Sequence, residues 1–229
     1  MTTTLDTAQQ AATDASGSIS NRMRNKRFAF FESLCDALPR PLRILDIGGT
    51  TEFWRQRGWA GREDVSITLV NLKAEEQTED NIIPTVNDAT ALKDIDDASY
   101  DVAFSNSVIE HVFTWENQKK MAAEVRRVGR AYFLQTPNFW FPIEPHFLFP
   151  GWHYLPAGVR IAILRRKRVG WRGPCPDKKE ARALVEEIRL LSGSEMRTLF
   201  PDATIKAEKY RGLTKSWMAY RGFGEGAGA

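Results

Sequence analysis

Four polar clusters in this 229-residue chain have the residue types and spacing to do chemistry. The first is Asp46-Ile47-Gly48-Gly49-Thr50, a glycine turn after the apolar run Leu42 to Ile47; with no Cβ at either glycine, a ligand can approach the backbone closely. Asn71 closes a second apolar run, Asp88 a third, and Ser105-Asn106 a fourth. The Asn71 amide can donate to and accept from a ribose diol. Asp88 can accept from an exocyclic adenine amine, and the backbone near Gly48 can meet an amino-acid group. Together they describe a site for a nucleoside-shaped ligand. The fingerprint G-x-G-x-x-G, which cradles a pyrophosphate, needs small residues where Thr50 and Phe53 stand, so the turn argues against a nicotinamide dinucleotide. Taken singly, each has a plainer reading, with Asn71 ending a strand and Asp88 capping a turn.

The elements that must carry these residues alternate. A helical face of Phe28, Phe31, Leu34, Cys35 and Leu38 is stopped by Pro39 and Pro41. Strands follow at 42–47, at 67–72, ending near 86–89, at 100–105 and at 132–135, with a helix from about Trp115 that sets Met121, Ala122, Val125 and Val128 on one side. Such alternation predicts an α/β fold, an open and mostly parallel sheet with helices on both faces, so that the strand ends share one edge. From Pro137 to Pro156 the pattern breaks into prolines and aromatics, an aromatic and helical insertion after the fifth strand. A helix with Leu184, Val185, Ile188 and Leu191 on one face comes next, then a capping box, Ser192 with Glu195, for a short helix to Phe200. Strands at 204–210 and 215–220 around Gly212 predict a closing antiparallel hairpin. The division expected is a disordered tail 1–20, one domain 21–222 containing an acceptor-side insertion or lid at 137–191, and a flexible tail 223–229.

The runs Leu45-Asp46-Ile47-Gly48-Gly49-Thr50 and Tyr100-Asp101-Val102-Ala103-Phe104-Ser105-Asn106-Ser107-Val108-Ile109-Glu110-His111-Val112 resemble the class I, Rossmann-like S-adenosylmethionine-dependent methyltransferases, in their small single-domain, type-11-like branch. The likeness runs from about Arg43 to Pro137, with the closing hairpin also fitting, roughly half the chain. It implies a seven-stranded sheet with a reversed last strand and S-adenosylmethionine as cofactor. Residue by residue it implies Asp46, Gly48, Gly49 and Thr50 along the methionine part, Asn71 on the ribose, Asp88 and Ala89 on the adenine, and Ser105 and Asn106 near the sulfonium. Two positions depart from the family pattern: Thr50 replaces its second glycine, and Asn71 replaces an acid.

Transfer of a methyl group to a hydroxyl requires an oriented acceptor and a base to take its proton. Histidine, with a reference pKa of about 6.5, suits that work, and the chain has three: His111, His146 and His153. The resemblance places the acceptor pocket after the fifth strand, where His146 is expected as general base and Glu144 as its orienting or acceptor-binding partner. Phe139, Trp140, Phe141 and Trp152 are expected to wall the pocket, with His153 beside them; the alternative is that Glu144 and His146 satisfy backbone groups in a proline-stiffened loop. His111 is expected to pack near the cofactor and donate to backbone. The acceptor is expected to be a small molecule, with an O-methylated sugar or glycan-like hydroxyl compound favoured and a quinone, phenol or lipid as alternative. A divalent cation such as Mg assists some members, but no carboxylate cluster has ligand spacing.

Composition bounds the rest. Hydrophobic residues are 42% and charged residues 27% of the chain, and no apolar run nears the roughly 20 residues of a spanning helix. The first residues lack the basic start and apolar stretch of a signal peptide, so the cytoplasm is the expected address. Cys35 and Cys175 are expected as thiols, not a disulfide. The net charge of +3 concentrates in Arg22, Arg24, Lys26 and Arg27 and in Arg165, Arg166, Lys167 and Arg168. The second run, with Trp171 and Arg172, offers a nucleic-acid methyltransferase as the rival reading. Against that rival, Ser105-Asn106-Ser107-Val108 is not the Asn/Asp-Pro-Pro-aromatic signature of amino-directed base methylation. A non-catalytic cofactor module and a nicotinamide oxidoreductase complete the alternatives; an aromatic lid could also serve as a homodimer surface.

Overall fold

The computed structural model describes residues 19–144, 146–170 and 172–224. The expected N-terminal tail up to residue 18, Pro145, Trp171 and the last five residues of the expected C-terminal tail lie outside the described residues. The chain forms two compact units, one of residues up to 36 together with 142–186, the other of 37–141 with 187 onward.

The second unit carries the sheet. Its strands are β1 (Leu42–Ile47), β2 (Val65–Asn71), β3 (Ile82–Val86), β4 (Tyr100–Asn106), β5 (Gly129–Pro137), β6 (Thr204–Tyr210) and β7 (Leu213–Arg221), in the order β3-β2-β1-β4-β5-β7-β6. The first five pair in parallel, while β7 runs antiparallel to both β5 and β6. Seven strands with one reversed therefore stand as expected, and the Arg211-Gly212 turn closes the hairpin with positive φ at both residues.

Alternation along the buried strands sorts side chains to the two faces. Leu45, Ile47, Ala103, Tyr132, Leu134 and Ala219 pack with Met121, Ala122, Val125 and Val128 of one helix and Met196 and Leu199 of another. The first of these helices (Trp115–Val128) is capped by Thr114, whose hydroxyl accepts from the Asn117 N–H. The second (Gly193–Leu199) has the full Ser192–Glu195 capping box. On the opposite face Trp54, from the five-residue helix Thr51–Arg55, meets Phe104 at 5.3 Å and Trp59 at 5.4 Å between ring centroids.

The first unit contains the helices Ile19–Cys35, Ala157–Leu164 and Lys178–Glu186. Phe28, Phe31, Leu34 and Cys35 are buried as their spacing predicts. Inside the 142–186 segment, Phe147 stacks on Trp152 at 4.7 Å, and Ile161, Leu164, Val169, Cys175, Ala181 and Val185 are buried.

Several boundaries differ from the sequence reading. The third strand ends at Val86, which leaves Asp88 and Ala89 in the turn beyond it. The helix expected to include Ile188 and Leu191 stops at Glu186; Leu191 instead bridges Asn138 as an extended residue, because its apolar side chain joins the core beneath the sheet. Phe223, placed in the flexible tail by its glycine neighbours, is buried, so burial of one aromatic ring orders the chain past β7. Among the described residues no disulfide forms, and no helix is long and apolar enough to cross a membrane.

Candidate functional site

The carboxyl ends of β1, β2 and β4 share one edge, with β1 and β4 adjacent where the strand order reverses. In open α/β sheets that crevice receives ligands. Gly48 leaves β1 with φ +83°, a conformation that favours glycine, and its N–H donates to the Val70 carbonyl at 2.8 Å. A Cβ on Gly48 would stand 2.5 Å from Val108, and one on Gly49 would stand 1.6 Å from Oδ2 of Asp46. Both glycines are therefore fixed by space, and the turn lies close against Asp46.

Asp46 is buried, and its Oδ2 accepts from Nε1 of Trp54 at 2.7 Å. Its Oδ1 has no hydrogen-bond partner among the described residues. Burial pushes its pKa up to about 7; the Trp54 bond opposes the rise and the nearby Glu75 charge adds to it. A buried carboxyl with one oxygen open, beside two glycines that no side chain fills, fits the α-ammonium end of an amino acid.

The neighbouring strand ends complete the cradle. Asn71 donates from Nδ2 to the Gly49 carbonyl at 2.8 Å, tying β2 to the glycine turn. Thr50 spends its hydroxyl as the helix cap, accepting from the Phe53 N–H. The next N–H, of Thr51, donates to Glu75 at 3.0 Å. Glu75 is an acid beside the glycine turn that the sequence reading missed; the Glu75-Glu76 pair after Asn71 was the available signal. Asp88 accepts from the N–H and hydroxyl of Thr90, both at 2.8 Å. These bonds hold its carboxyl below the usual range and make Asp88 a turn cap through one oxygen. Ala89 follows it half-buried. Ser105 is fully buried and donates to the Ile47 carbonyl at 3.0 Å, so its hydroxyl stitches β4 to β1. Asn106 is the last residue of β4.

Below this edge runs a buried polar network that no spacing rule announces. Glu110 is fully buried and accepts from the Thr136 hydroxyl at 2.9 Å. Gln118 donates to the carbonyls of Ile109 and Arg189 and accepts from the Arg189 guanidinium at 2.6 Å, which also reaches Glu195. His111 lies 3.9 Å from Glu187. Asn138 accepts from Nε1 of Trp217 at 2.9 Å and donates to the Thr214 carbonyl at 2.8 Å. Phe139 meets Trp140 edge-on at 4.9 Å, but Trp140 is 67% exposed, which is not the position of a wall that excludes water; Phe141 is half-buried.

In the other unit, Glu144 is buried and His146 half-buried. Nδ1 of His146 bonds to Oε1 of Glu144, and Oε2 of Glu144 accepts from the Phe147 N–H at 2.7 Å. The sequence-derived pair is thus joined, and the same carboxylate also serves the backbone. Trp152 is fully buried as part of this unit's interior, and His153 lies against Tyr154 at 4.1 Å between rings. The basic run is exposed, with Arg165, Arg166 and Arg168 each donating to a backbone carbonyl.

A family profile described as a methyltransferase domain matches residues 47–131. An uncharacterised protein of Mycobacterium tuberculosis is 36% identical over 67 residues, 29% of this chain and 23% of that protein; the match thus spans under a quarter of the relative's length. Among solved structures, magnesium protoporphyrin IX methyltransferase of Synechocystis PCC 6803, with bound S-adenosylhomocysteine, is similar with TM-score 0.53 and 10% identity over 95% of this chain and 94% of that one. The CurJ carbon methyltransferase is similar with TM-score 0.58 and 14% identity over 94% of this chain and 57% of that one. Likeness at these identities shows the fold. The family profile itself lies across the glycine turn, Asn71, Asp88, Ser105 and Glu110, so residues 47–131 are similar to a methyltransferase domain carried on the fold those solved methyltransferases share.

Proposed function

We propose that the protein methylates a hydroxyl of a small metabolite, with a sugar or glycan-like compound as acceptor and His146 as general base. The observation that carries the catalytic assignment is the Glu144–His146 bond. A buried carboxylate on Nδ1 selects the tautomer with Nδ1–H, so Nε2 carries the lone pair that a base needs. The second hold on Glu144, from the Phe147 N–H, keeps it from rotating away.

S-adenosylmethionine, when bound, supplies an activated methyl group on a sulfonium sulfur. The chain's part is to hold and orient. Asp46 would hold the α-ammonium, the Gly48-Gly49 backbone would border the carboxylate end, and the Asn71 amide oxygen would accept from the ribose. An acceptor hydroxyl held in the same unit as His146 would take up that methyl group with S-adenosylhomocysteine as the other product. The hydroxyl proton passes to Nε2 of His146 and leaves to water, so charge and atoms balance.

The fold supports more than one acceptor chemistry, since a carbon methyltransferase and a porphyrin methyltransferase share it. The test is label transfer from methyl-labelled S-adenosylmethionine to a panel of sugars, sugar conjugates, phenols and quinones, with wild type and His146→Ala. Label on oxygen, lost in the variant, supports the reading; label on carbon or nitrogen, or equal turnover by the variant, overturns it.

A further inference from the structure

We infer that the 142–186 segment binds the anionic group of an acceptor, a carboxylate or a phosphate monoester, through the guanidinium of Arg160. This rests on the acceptor reading above and deepens it: the hydroxyl compound is charged, as a sugar acid or sugar phosphate is.

Arg160 sits in the helix Ala157–Leu164 and is half-buried. Its Nε is buried without a hydrogen-bond partner among the described residues. Glu144 and Glu186 act on it only through their charge, and burial outweighs them and pulls its pKa down. Neither carboxylate is available as a fork partner. Glu144 is committed to His146 and the Phe147 N–H, and Glu186 faces Arg182 at 3.5 Å.

A guanidinium presents five N–H donors in a planar fork, and withdrawing it from water without acceptors is unfavourable. Nearby arginines avoid that cost. Arg165, Arg166 and Arg168 are exposed and each donates to a backbone carbonyl. Arg160 differs from them in being half-buried, with its Nε buried and without a partner among the described residues, and the group that matches its fork is a planar carboxylate or a phosphate. A second donor in the same unit, Nε1 of Trp152, is also buried without a partner among the described residues. Its ring stacks on Phe147, whose N–H is held by Glu144. Two unmet donors and a histidine–carboxylate pair, tied together through Glu144 and Phe147, suit an oxygen-rich anion.

The test is thermal denaturation of the full chain with sodium phosphate, sodium acetate or sodium chloride at matched ionic strength, in wild type, Arg160→Met and Arg160→Lys. Phosphate or acetate should stabilise the wild type saturably above chloride, and which of the two does so identifies the anion. Half-saturation should need at least about tenfold more anion in both variants, since lysine keeps the charge without the fork. Arg160→Met should melt no lower than wild type; if it fails to fold, Arg160→Lys carries the comparison. Equal anion responses in wild type and variant, or no response above chloride in the wild type, would overturn the assignment. His146→Ala separates the two readings: if only the base assignment fails, turnover is unchanged and the anion response still depends on Arg160.

Discussion

Raising the pH through 7 should change what Asp46 does, and the size of the effect follows from where it sits. Its side chain is 1% exposed, and burial, with Glu75 adding and the Trp54 bond opposing, lifts its pKa from 3.8 to about 7. A carboxyl whose folded pKa is raised holds its proton more tightly folded than unfolded. Its effect on stability is nil below about pH 4 and unfavourable increasingly from there to about pH 7. At about 1.36 kcal/mol per pH unit, the loss reaches about 4 kcal/mol by about pH 8. A cation placed against the carboxylate reverses the shift, and the cofactor's α-ammonium is that cation in the proposed pose. Binding of S-adenosylhomocysteine near pH 6 should therefore release about one proton. The association constant should rise about tenfold per pH unit between about pH 5 and 7 and level off above. Calorimetric titrations in two buffers of different ionisation enthalpy measure the proton directly. Asp46→Asn should abolish both the release and the slope; no proton release by the wild type, or an unchanged slope in the variant, refutes the reasoning.

His146→Ala should lower kcat by about 10²- to 10⁴-fold while calorimetric affinity for S-adenosylhomocysteine stays within about twofold; Glu144→Gln should lie between the two in turnover. Ser105→Ala removes a buried hydroxyl bond to the Ile47 carbonyl and should cost about 1 kcal/mol in urea melts with kcat held; a kcat loss beyond about tenfold would mean the hydroxyl acts at the reacting centre. Gln118→Leu strands two carbonyls and one Arg189 donor, and should destabilise by about 2 kcal/mol or more. Gly49→Ala puts a carbon where Asp46 Oδ2 stands; binding of S-adenosylhomocysteine, followed by thermal shift, should be lost.

The strand-end residues were legible because a parallel sheet converts a one-dimensional pattern into a line of groups on one edge. β2 and β4 end on Asn71 and Asn106 and β1 ends one residue beyond Asp46, and the topology alone brings those ends together. The capping box was legible for the same reason, being a spacing of three residues with a local cause. What each group does there was less legible. Thr50, Asp88 and Ser105 looked like ligand contacts, yet Thr50 and Asp88 accept from backbone N–H groups three and two residues on, because short polar side chains find near neighbours first, and Ser105 donates across to the Ile47 carbonyl of β1.

The Glu110, Thr136, Gln118 and Arg189 network could not be read at all. Its partners lie 26 and 71 residues apart, and nothing local distinguishes a Gln on a helix that will be buried from one that will not. Burial is what gives such a network its weight: each of its buried donors and acceptors must be met inside the protein or be left costly. Elsewhere some buried polar atoms stay without a hydrogen bond among the described residues. Asp46 Oδ1 and Arg160 Nε are buried without partners among the described residues, one an acceptor at the end of β1 and the other a donor in the 142–186 segment. They are opposite in sign. In the proposed reading Asp46 Oδ1 suits a cationic group in one unit and Arg160 Nε an anionic one in the other. An ammonium-bearing donor and an anionic acceptor would satisfy both.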